Sequence, residues 1–349
     1  MHVNALETPV VVVDLDRMEA NIERLQRYLD AHHIANRPHI KTHKVSEIAR
    51  KQVAAGAVGI TCQKVSEAEV MADAGIEDLF IPYNILGEAK LRRLMQLAAR
   101  VPVQVTADSA YAIKGYAGAA QQAELTLPVL VEFDTGMHRC GVPSPAEAAA
   151  LARLIARSAG LAFNGLMTFP HNAASDAFVR EVRGLLAAED ISIPHVSYGG
   201  TPGMWKAHTR TEVTEYRAGT YVYGDRSILK SGALKLEQIA LHVITTVVSR
   251  PTVERAILDG GSKTFSSDLG GLEGHGMILE YPEARFYGMS EEHGHVDVGA
   301  CPRRPEIGER VTVIPNHVCP VSNLFDQVVG ARNGKVEVVW PVAARGTVQ

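Results

Sequence analysis

The chain has 349 residues, of which 46% are hydrophobic and 21% are charged, and its formal net charge is −4. These values are typical of a soluble globular protein with one large and one smaller domain. They argue against a nucleic-acid-binding surface, and no apolar stretch reaches the length of a membrane-spanning helix. The first residues lack the features of a signal peptide, which predicts a cytoplasmic location.

The first two thirds of the chain alternate between short apolar runs and helical patterns. Apolar runs of this length, bounded by turn residues, are typical of buried strands. Eight strands separated by helices predict a TIM-like (β/α)8 barrel, the α/β part of the fold. The predicted barrel strands are 37–41, 58–62, 79–82, 103–107, 128–133, 163–169, 195–198 and 215–223.

The pattern changes near Lys235, where strand-like runs follow one another without a convincing amphipathic helix between them. Asn333 and Gly334 form a pair that is typical of a hairpin turn. We therefore predict a C-terminal all-β domain. A β-branched run at 10–13 has no place in an eight-stranded barrel. The predicted division is an N-terminal strand that joins the β-domain (1–14), the barrel (15–235) and the β-domain (236–349).

The segment 37–44 is rich in cationic and imidazole side chains, although its apolar residues suit a strand. Lys41 would lie at the carboxyl end of the first barrel strand, where such barrels keep their catalytic groups. A lysine that is held away from water and near other cations can act as an amine nucleophile. A solvated basic turn is the alternative interpretation of this segment.

Two glycine-containing loops follow the seventh and eighth predicted strands, where barrels often bind phosphate. Glycines allow backbone N–H groups to approach phosphate oxygens, and threonines offer hydroxyl groups. Each loop alone could also be a tight turn. The candidate binding residues are Tyr198, Gly200, Thr201, Gly219, Thr220 and Tyr221.

Two polar residues follow other strands and are predicted to point into the same mouth of the barrel. Gln63 follows the second strand, and Arg139 follows the fifth. An arginine at this position can hold an anionic or phenolic oxygen in a fixed geometry. A salt bridge between helices is the alternative for Arg139.

His317 and Cys319 form a candidate metal pair in the β-domain. Pro320 is expected to keep Cys319 extended, so that both side chains project from one face. An imidazole and a thiolate suit a borderline-soft ion such as zinc. Two protein ligands leave positions for water or substrate, as a Lewis-acid role requires. The alternative is a buried thiol beside a histidine.

These motifs together resemble the fold-type III pyridoxal-phosphate enzymes of the D-threonine aldolase and D-serine dehydratase family. The resemblance implies an alanine-racemase N-terminal type barrel, a covalent bond between Lys41 and pyridoxal 5'-phosphate, and a homodimer. It also implies that His317 and Cys319 bind a divalent metal ion, zinc or manganese. The segments that carry it are 8–16, 37–44, 62–69, 139–141, 259–263, 290–294, 317–320 and 340–346.

The resemblance implies a lyase whose substrate is a small D-3-hydroxy amino acid. Family members with aldolase activity resemble His-x-Asp at the metal pair, whereas D-serine dehydratases resemble His-x-Cys. Cys319 therefore favours dehydration and deamination to a 2-oxo acid and ammonia, as in D-serine or D-threo-3-hydroxyaspartate dehydratases. The alternative is a D-threonine aldolase that releases glycine and an aldehyde. An amino-acid racemase and a non-catalytic pyridoxal-phosphate carrier are more remote alternatives.

The chain departs from the family pattern after the sixth predicted strand. Phe169 stands where a tyrosine is expected, so a hydroxyl contact with cofactor or substrate is missing. His171 stands close to the position of a second catalytic histidine. We therefore predict Lys41 and His171 as the catalytic residues.

Overall fold

The computed structural model describes residues 1–349, which form two compact units. The first unit contains Met1–Glu23, Thr42–Glu47 and Thr220–Gly346, and the second contains Arg24–Lys41, Ile48–Gly219 and Thr347–Gln349. The chain thus returns to the first unit after Gly219, whereas the sequence placed the domain boundary at residue 235. None of the helices combines the length and the hydropathy needed to cross a membrane.

The elements follow one another in the order expected of a barrel and a β-rich unit. The strands are β1 (Val10–Asp14), β2 (Ala35–Asn36), β3 (Ile60–Thr61), β4 (Leu79–Ile81), β5 (Val103–Ala107), β6 (Leu127–Glu132), β7 (Leu161–Met167), β8 (His195–Gly199), β9 (Glu215–Arg217), β10 (Leu241–Thr252), β11 (Arg255–Leu258), β12 (Gly276–Ile278), β13 (Arg285–Met289), β14 (Gly294–Asp297), β15 (Arg310–Pro315), β16 (Gln327–Arg332) and β17 (Lys335–Pro341). The α-helices are α1 (Leu15–Ala31), α2 (Ser46–Ala54), α3 (Val65–Asp73), α4 (Glu88–Ala98), α5 (Ala110–Gln122), α6 (Pro145–Arg157), α7 (Ser175–Leu186), α8 (Arg226–Ser231), α9 (Ser262–Phe265) and α10 (Val318–Leu324).

The second unit is built on a parallel eight-stranded sheet in the order β2-β9-β8-β7-β6-β5-β4-β3. A parallel bridge between His39 and Thr61 links its two ends, and the Thr61 N–H donates to the Pro38 carbonyl at 2.8 Å. The strands are apolar and buried because helices cover the sheet, as is usual for parallel sheets. The predicted α/β barrel is confirmed.

Two predicted barrel strands differ from the observed ones, the first in position and the last in length. The run 37–41 was predicted as a strand, but β2 ends at Asn36 and Ile40–Thr42 form a short 3-10 helix. Pro38 explains the early end, because it has no N–H to donate to a strand ladder. The run 215–223 likewise ends as a strand at Arg217, and Thr220–Val222 form another 3-10 helix. Lys41 therefore lies in a turn beyond the strand.

The first unit contains a mostly antiparallel sheet in the order β13-β14-β11-β10-β1-β16-β17, and β15 pairs with both β10 and β12. β1 lies inside it, antiparallel to β10 and parallel to β16. The predicted β-rich domain is confirmed as a fold class. Helices α9 and α10, of four and seven residues, also lie in this unit. They were missed because such short helices show no clear periodicity.

A buried ion pair fixes the start of the barrel. The Arg37 Nε donates to a Glu215 carboxylate oxygen at 2.6 Å, and both side chains are almost completely buried. The Arg37 Nη1 also donates to Asp78 at 2.6 Å. Removing one member of a buried pair leaves the other charge uncompensated.

We expect Arg37→Ala to lower the free energy of unfolding by about 3–5 kcal/mol, because Glu215 would lose the hydrogen-bonded cation that compensates its buried charge. Urea denaturation followed by circular dichroism measures this loss. Arg92→Ala is the matched control, since Arg92 forms an exposed pair with Glu88, and it should cost less than about 1 kcal/mol. Equal losses in the two variants would contradict the prediction.

Candidate active site

Phe169 is the point at which two predicted site cations come together in the second unit. The Lys41 Nζ lies 5.7 Å from the centroid of the Phe169 ring, and the guanidinium carbon of Arg139 lies 5.2 Å from it. Both distances are within the range of cation–π attraction. The phenylalanine that departs from the family pattern is thus a contact surface for both cations.

His39 connects the turn of Lys41 to Gln63. Its Nε2 lies 3.0 Å from the Gln63 Oε1, and its Nδ1 lies 3.4 Å from the backbone N–H of Lys41. Burial, followed by the charges of Lys41 and Arg217, holds the pKa of His39 well below its usual value. A neutral ring with the proton on Nε2 satisfies both contacts, since it donates to Gln63 and accepts from Lys41. Gln63 therefore acts on the site through His39.

Arg217 is a buried cation that the sequence analysis missed. Its Nε donates to the Ser197 hydroxyl at 2.8 Å, and its Nη2 donates to the Thr168 carbonyl at 2.9 Å. Burial lowers the pKa of Arg217 to about 10, although Glu215 and Glu132 partly offset the effect. The available signal was an arginine inside a predicted strand that is mostly apolar and aromatic.

A second charged pair lies at the end of β6. The Arg139 Nη2 is 3.9 Å from the Glu132 Oε1, and Glu132 is buried. Burial raises the pKa of Glu132 to about 7, while Arg139 and Arg217 act in the opposite direction. The sequence analysis also missed this carboxyl group.

Three of the predicted cofactor-binding residues lie at the end of β8 and directly after it. Gly200 has φ +112°, and a Cβ there would lie 3.2 Å from the Phe169 ring, so only glycine keeps this space open. Thr201 is buried at the start of a 3-10 helix, Thr201–Thr209. Tyr198 is also buried, and its hydroxyl donates to Asp176 at 3.0 Å. Tyr198 therefore connects the end of β8 to α7 through Asp176.

His171 packs against the same loop. Its ring is stacked on Tyr198 with a centroid distance of 5.5 Å, and its Nδ1 lies 3.4 Å from the Gly199 carbonyl. Burial lowers the pKa of His171. A cavity of about 390 Å³ adjoins the ring and is lined also by Phe169, Gly200, Lys206 and Arg210. A neutral imidazole that lines a cavity can accept a proton from a bound molecule.

The remaining loop residues follow β9. Gly219 is half-buried at the end of the second unit. In the first unit, the Thr220 carbonyl accepts a hydrogen bond from the Gly224 N–H at 2.7 Å, and Tyr221 is buried. Phosphate binding by Gly219, Thr220 and Tyr221 stays a prediction.

The first unit brings His317 and Cys319 together. The His317 Nδ1 lies 2.6 Å from an Asp268 carboxylate oxygen, and the Cys319 Sγ lies 3.4 Å from the Thr42 hydroxyl. Burial acts to lower the pKa of His317, but Cys319 and Asp268 raise it to about 9. The prediction of an extended Cys319 was wrong, because α10 begins at Val318 and its first turn accommodates the following proline.

The donor set suits a metal that takes few protein ligands. The structure contains no cluster of three or more His, Cys, Asp or Glu side chains arranged to hold a metal ion. One imidazole and one sulfur ligand nevertheless fit a borderline-soft divalent ion. Asp268, which the sequence analysis missed, can orient the imidazole of His317.

The comparisons with known proteins first define a class. Residues 13–227 match the N-terminal domain of alanine racemase, and residues 240–331 match a putative serine dehydratase domain. The barrel and the β-rich unit are thus those of fold-type III pyridoxal-phosphate enzymes.

Individual relatives narrow the class. D-threonine aldolase from Arthrobacter sp. is 36% identical and aligns with 98% of this chain and 93% of its own length. D-threo-3-hydroxyaspartate dehydratase from Delftia sp. (strain HT23) is 31% identical over 92% of this chain and 93% of its own length. The crystal structure of D-threonine aldolase from Filomicrobium marinum is 31% identical, covers 99% of this chain and 97% of its own, and superposes with a TM-score of 0.89. The chain belongs to the D-threonine aldolase and D-serine dehydratase family of pyridoxal-phosphate-dependent lyases.

Solved mutants of the dehydratase bear on the metal pair. A histidine-to-alanine mutant and a cysteine-to-alanine mutant of D-threo-3-hydroxyaspartate dehydratase have been solved, and the latter is in a metal-free form. The two mutated positions are two residues apart, which is the spacing of His317 and Cys319 here.

The buried neutral state of His39 makes stability depend on pH. Because the folded-state pKa is depressed, stability is fully present above the unfolded pKa of about 6.5 and is lost as the pH falls. For each pH unit below about 6.5, we expect the free energy of unfolding of the wild-type apoprotein to fall by about 1.4 kcal/mol more than that of the His39→Gln apoprotein. Urea denaturation at several pH values measures the difference. His33→Gln, at an exposed histidine, is the control. Parallel pH profiles for wild type and His39→Gln would refute a neutral His39.

Proposed function

We propose that the protein is a pyridoxal-phosphate- and divalent-metal-dependent lyase that dehydrates and deaminates D-3-hydroxy amino acids to 2-oxo acids and ammonia. The observation that carries this proposal is the cysteine at position 319, two residues after His317. Family members with aldolase activity resemble His-x-Asp at this position, whereas this chain has cysteine. The mutants of D-threo-3-hydroxyaspartate dehydratase, with histidine and cysteine at the same spacing, support the assignment.

The residues of the second unit fit the cofactor. Lys41 supplies the amine for the covalent bond, and the open space at Gly200 lies beside the Phe169 ring. Lys41 and Arg139 give this region a positive charge that suits an anionic cofactor. When bound, pyridoxal phosphate acts as an electron sink for the charge that develops at the substrate Cα.

In the proposed reaction, Lys41 is the base. Its Nζ removes the proton from the substrate Cα, and the loss of the β-hydroxyl follows. His39 holds the backbone of Lys41 in place through its Nδ1.

The metal pair would assist the departure of the β-hydroxyl group, which is the difficult step of the reaction. Hydroxide is a poor leaving group, and a divalent ion held by His317 and Cys319 would act as a Lewis acid on the β-hydroxyl. Asp268 accepts a hydrogen bond from the Nδ1–H group of His317, which leaves Nε2 as the atom that would bind the metal. A homodimer and the choice between zinc and manganese stay predictions.

Cleavage to glycine and an aldehyde is the second candidate function. The 36% identity to the D-threonine aldolase of Arthrobacter sp. favours it. In this reaction a base removes the β-hydroxyl proton, after which the Cα–Cβ bond breaks. His171 lines the cavity beside Phe169, and its lowered pKa suits this base.

Product analysis separates the two functions. We expect the holoenzyme to convert D-threo-3-hydroxyaspartate or D-serine to a 2-oxo acid and ammonia, measured by coupled reduction of the oxo acid. Glycine and an aldehyde from D-threonine would assign the aldolase reaction instead, and no product from any of the three would overturn the lyase assignment. In Lys41→Ala, both product formation and the visible absorbance of the bound cofactor should disappear.

Removal of the metal tests the role of the pair. EDTA treatment should abolish activity, and zinc or manganese should restore it. Cys319→Ala should lower both the metal content, measured by atomic emission, and the activity by at least about tenfold. Cys301→Ala is the control, since this thiol is buried and lies outside the metal pair. Full activity after EDTA, or an unchanged metal content in Cys319→Ala, would contradict a role of the pair.

A further inference from the structure

Glu132 is a buried carboxyl group to which the proposed reaction gives no role. It is the last residue of β6, at the carboxyl end of a barrel strand, and it is 3% exposed. Its backbone carbonyl accepts a hydrogen bond from the Val142 N–H at 2.9 Å, which fixes the strand end. A buried carboxylate is costly unless a charge or hydrogen bond compensates it. The group that compensates the Glu132 carboxylate therefore indicates the role of this residue.

Arg139 is that partner. The Arg139 Nη2 and the Glu132 Oε1 are 3.9 Å apart, which is too long for a hydrogen bond but short enough for a charge interaction with the buried carboxylate. The side chain of Arg139 is 46% exposed, so the carboxylate restricts a side chain that has room to move.

The loop that carries Arg139 is anchored separately. One carboxylate oxygen of Asp134 accepts hydrogen bonds from the backbone N–H groups of Gly136, Met137 and His138, at 3.0, 2.9 and 3.3 Å. Asp134 thus holds the backbone of the loop. Glu132 acts on the guanidinium group itself.

The charges around Glu132 come from several elements. Arg139 and Arg217 favour its ionised form, while Asp108 and Asp134 oppose it, and Cys140 and Tyr116 lie within its field. Burial raises the pKa of Glu132 to about 7. The attraction between Glu132 and Arg139 therefore changes within the neutral pH range.

We propose that Glu132 is a positioning residue, whose carboxylate holds the Arg139 guanidinium beside the Phe169 ring, where it meets an anionic or phenolic oxygen of the cofactor. The inference rests on the proposed function, because it concerns the binding of pyridoxal phosphate. Glu132 does not touch the cofactor and acts only through Arg139. Replacing Glu132 should therefore weaken the binding of pyridoxal phosphate only when Arg139 is present.

A double-mutant cycle tests this dependence. The dissociation constant of pyridoxal phosphate is measured by absorbance titration of apoprotein for wild type, Glu132→Gln, Arg139→Ala and the double variant. We expect Glu132→Gln to weaken binding about fivefold to tenfold at pH 8. In the Arg139→Ala background, the same substitution should change binding by less than about twofold.

The pH dependence gives a second readout. As the pH falls from 8 to 6, Glu132 takes up a proton, so the affinity of wild type should approach that of Glu132→Gln. Glu132→Asp should restore part of the binding. Glu69→Gln is the control, because Glu69 pairs with Arg93 on the outer helices and should leave binding unchanged. Arg139→Ala alters an exposed side chain, and it too should lose this pH dependence.

The outcomes separate this inference from the function beneath it. Wild-type binding of pyridoxal phosphate with equal affinity in Glu132→Gln would overturn the positioning role alone. Full additivity of the two substitutions would do the same, because Glu132 would then act independently of Arg139. No binding to the wild-type apoprotein would overturn the proposed function, and this inference with it.

Discussion

The bridge between His39 and Thr61 is the constraint on which the barrel mouth depends. It joins the two ends of the parallel sheet, and the N–H of His39 bonds to the Ala218 carbonyl at 2.9 Å on the other side. The backbone before Lys41 is therefore held by both neighbouring strands. The ring of His39 adds side-chain contacts to these backbone bonds, since it contacts both the Lys41 amide and Gln63.

The positive charge near the barrel mouth is consistent with a family of enzymes that bind an anionic cofactor. Lys41, Arg139 and Arg217 are cations of the second unit that lie near the barrel mouth, and Glu132 is the buried carboxyl group closest to Arg139. Preorganised positive charge attracts an anionic cofactor and stabilises negative charge that develops during a reaction. The same arrangement serves dehydration and aldol cleavage equally. Under the proposed function, the feature that separates them is the pair of His317 and Cys319, with cysteine in place of aspartate.

Features that depend on local patterns could be predicted from the sequence, and features that depend on distant contacts could not. The eight barrel strands were visible because each is a short apolar run between turn residues. The length of the first strand was not, because Pro38 ends the ladder while its neighbours still look strand-like. Cys319 was expected to be extended, yet α10 begins one residue earlier. Arg217 and Glu132 were missed because their roles come from partners that are distant in the chain or beyond a loop, such as the Thr168 carbonyl and Arg139.

The shortness of β2 and β3, two residues each, has a consequence for local opening of the barrel. The seam between them contains few backbone hydrogen bonds, whereas β6 and β7 pair over six positions. Regions with few such bonds open most readily in native-state hydrogen exchange. The amides of Val58 and Thr61, which bond across this seam to the Asn36 and Pro38 carbonyls, would then exchange early in the apoprotein. A covalent bond between the cofactor and nearby Lys41 would slow the exchange of these amides. Cofactor binding would then also stabilise the junction between β2 and β3 against local opening.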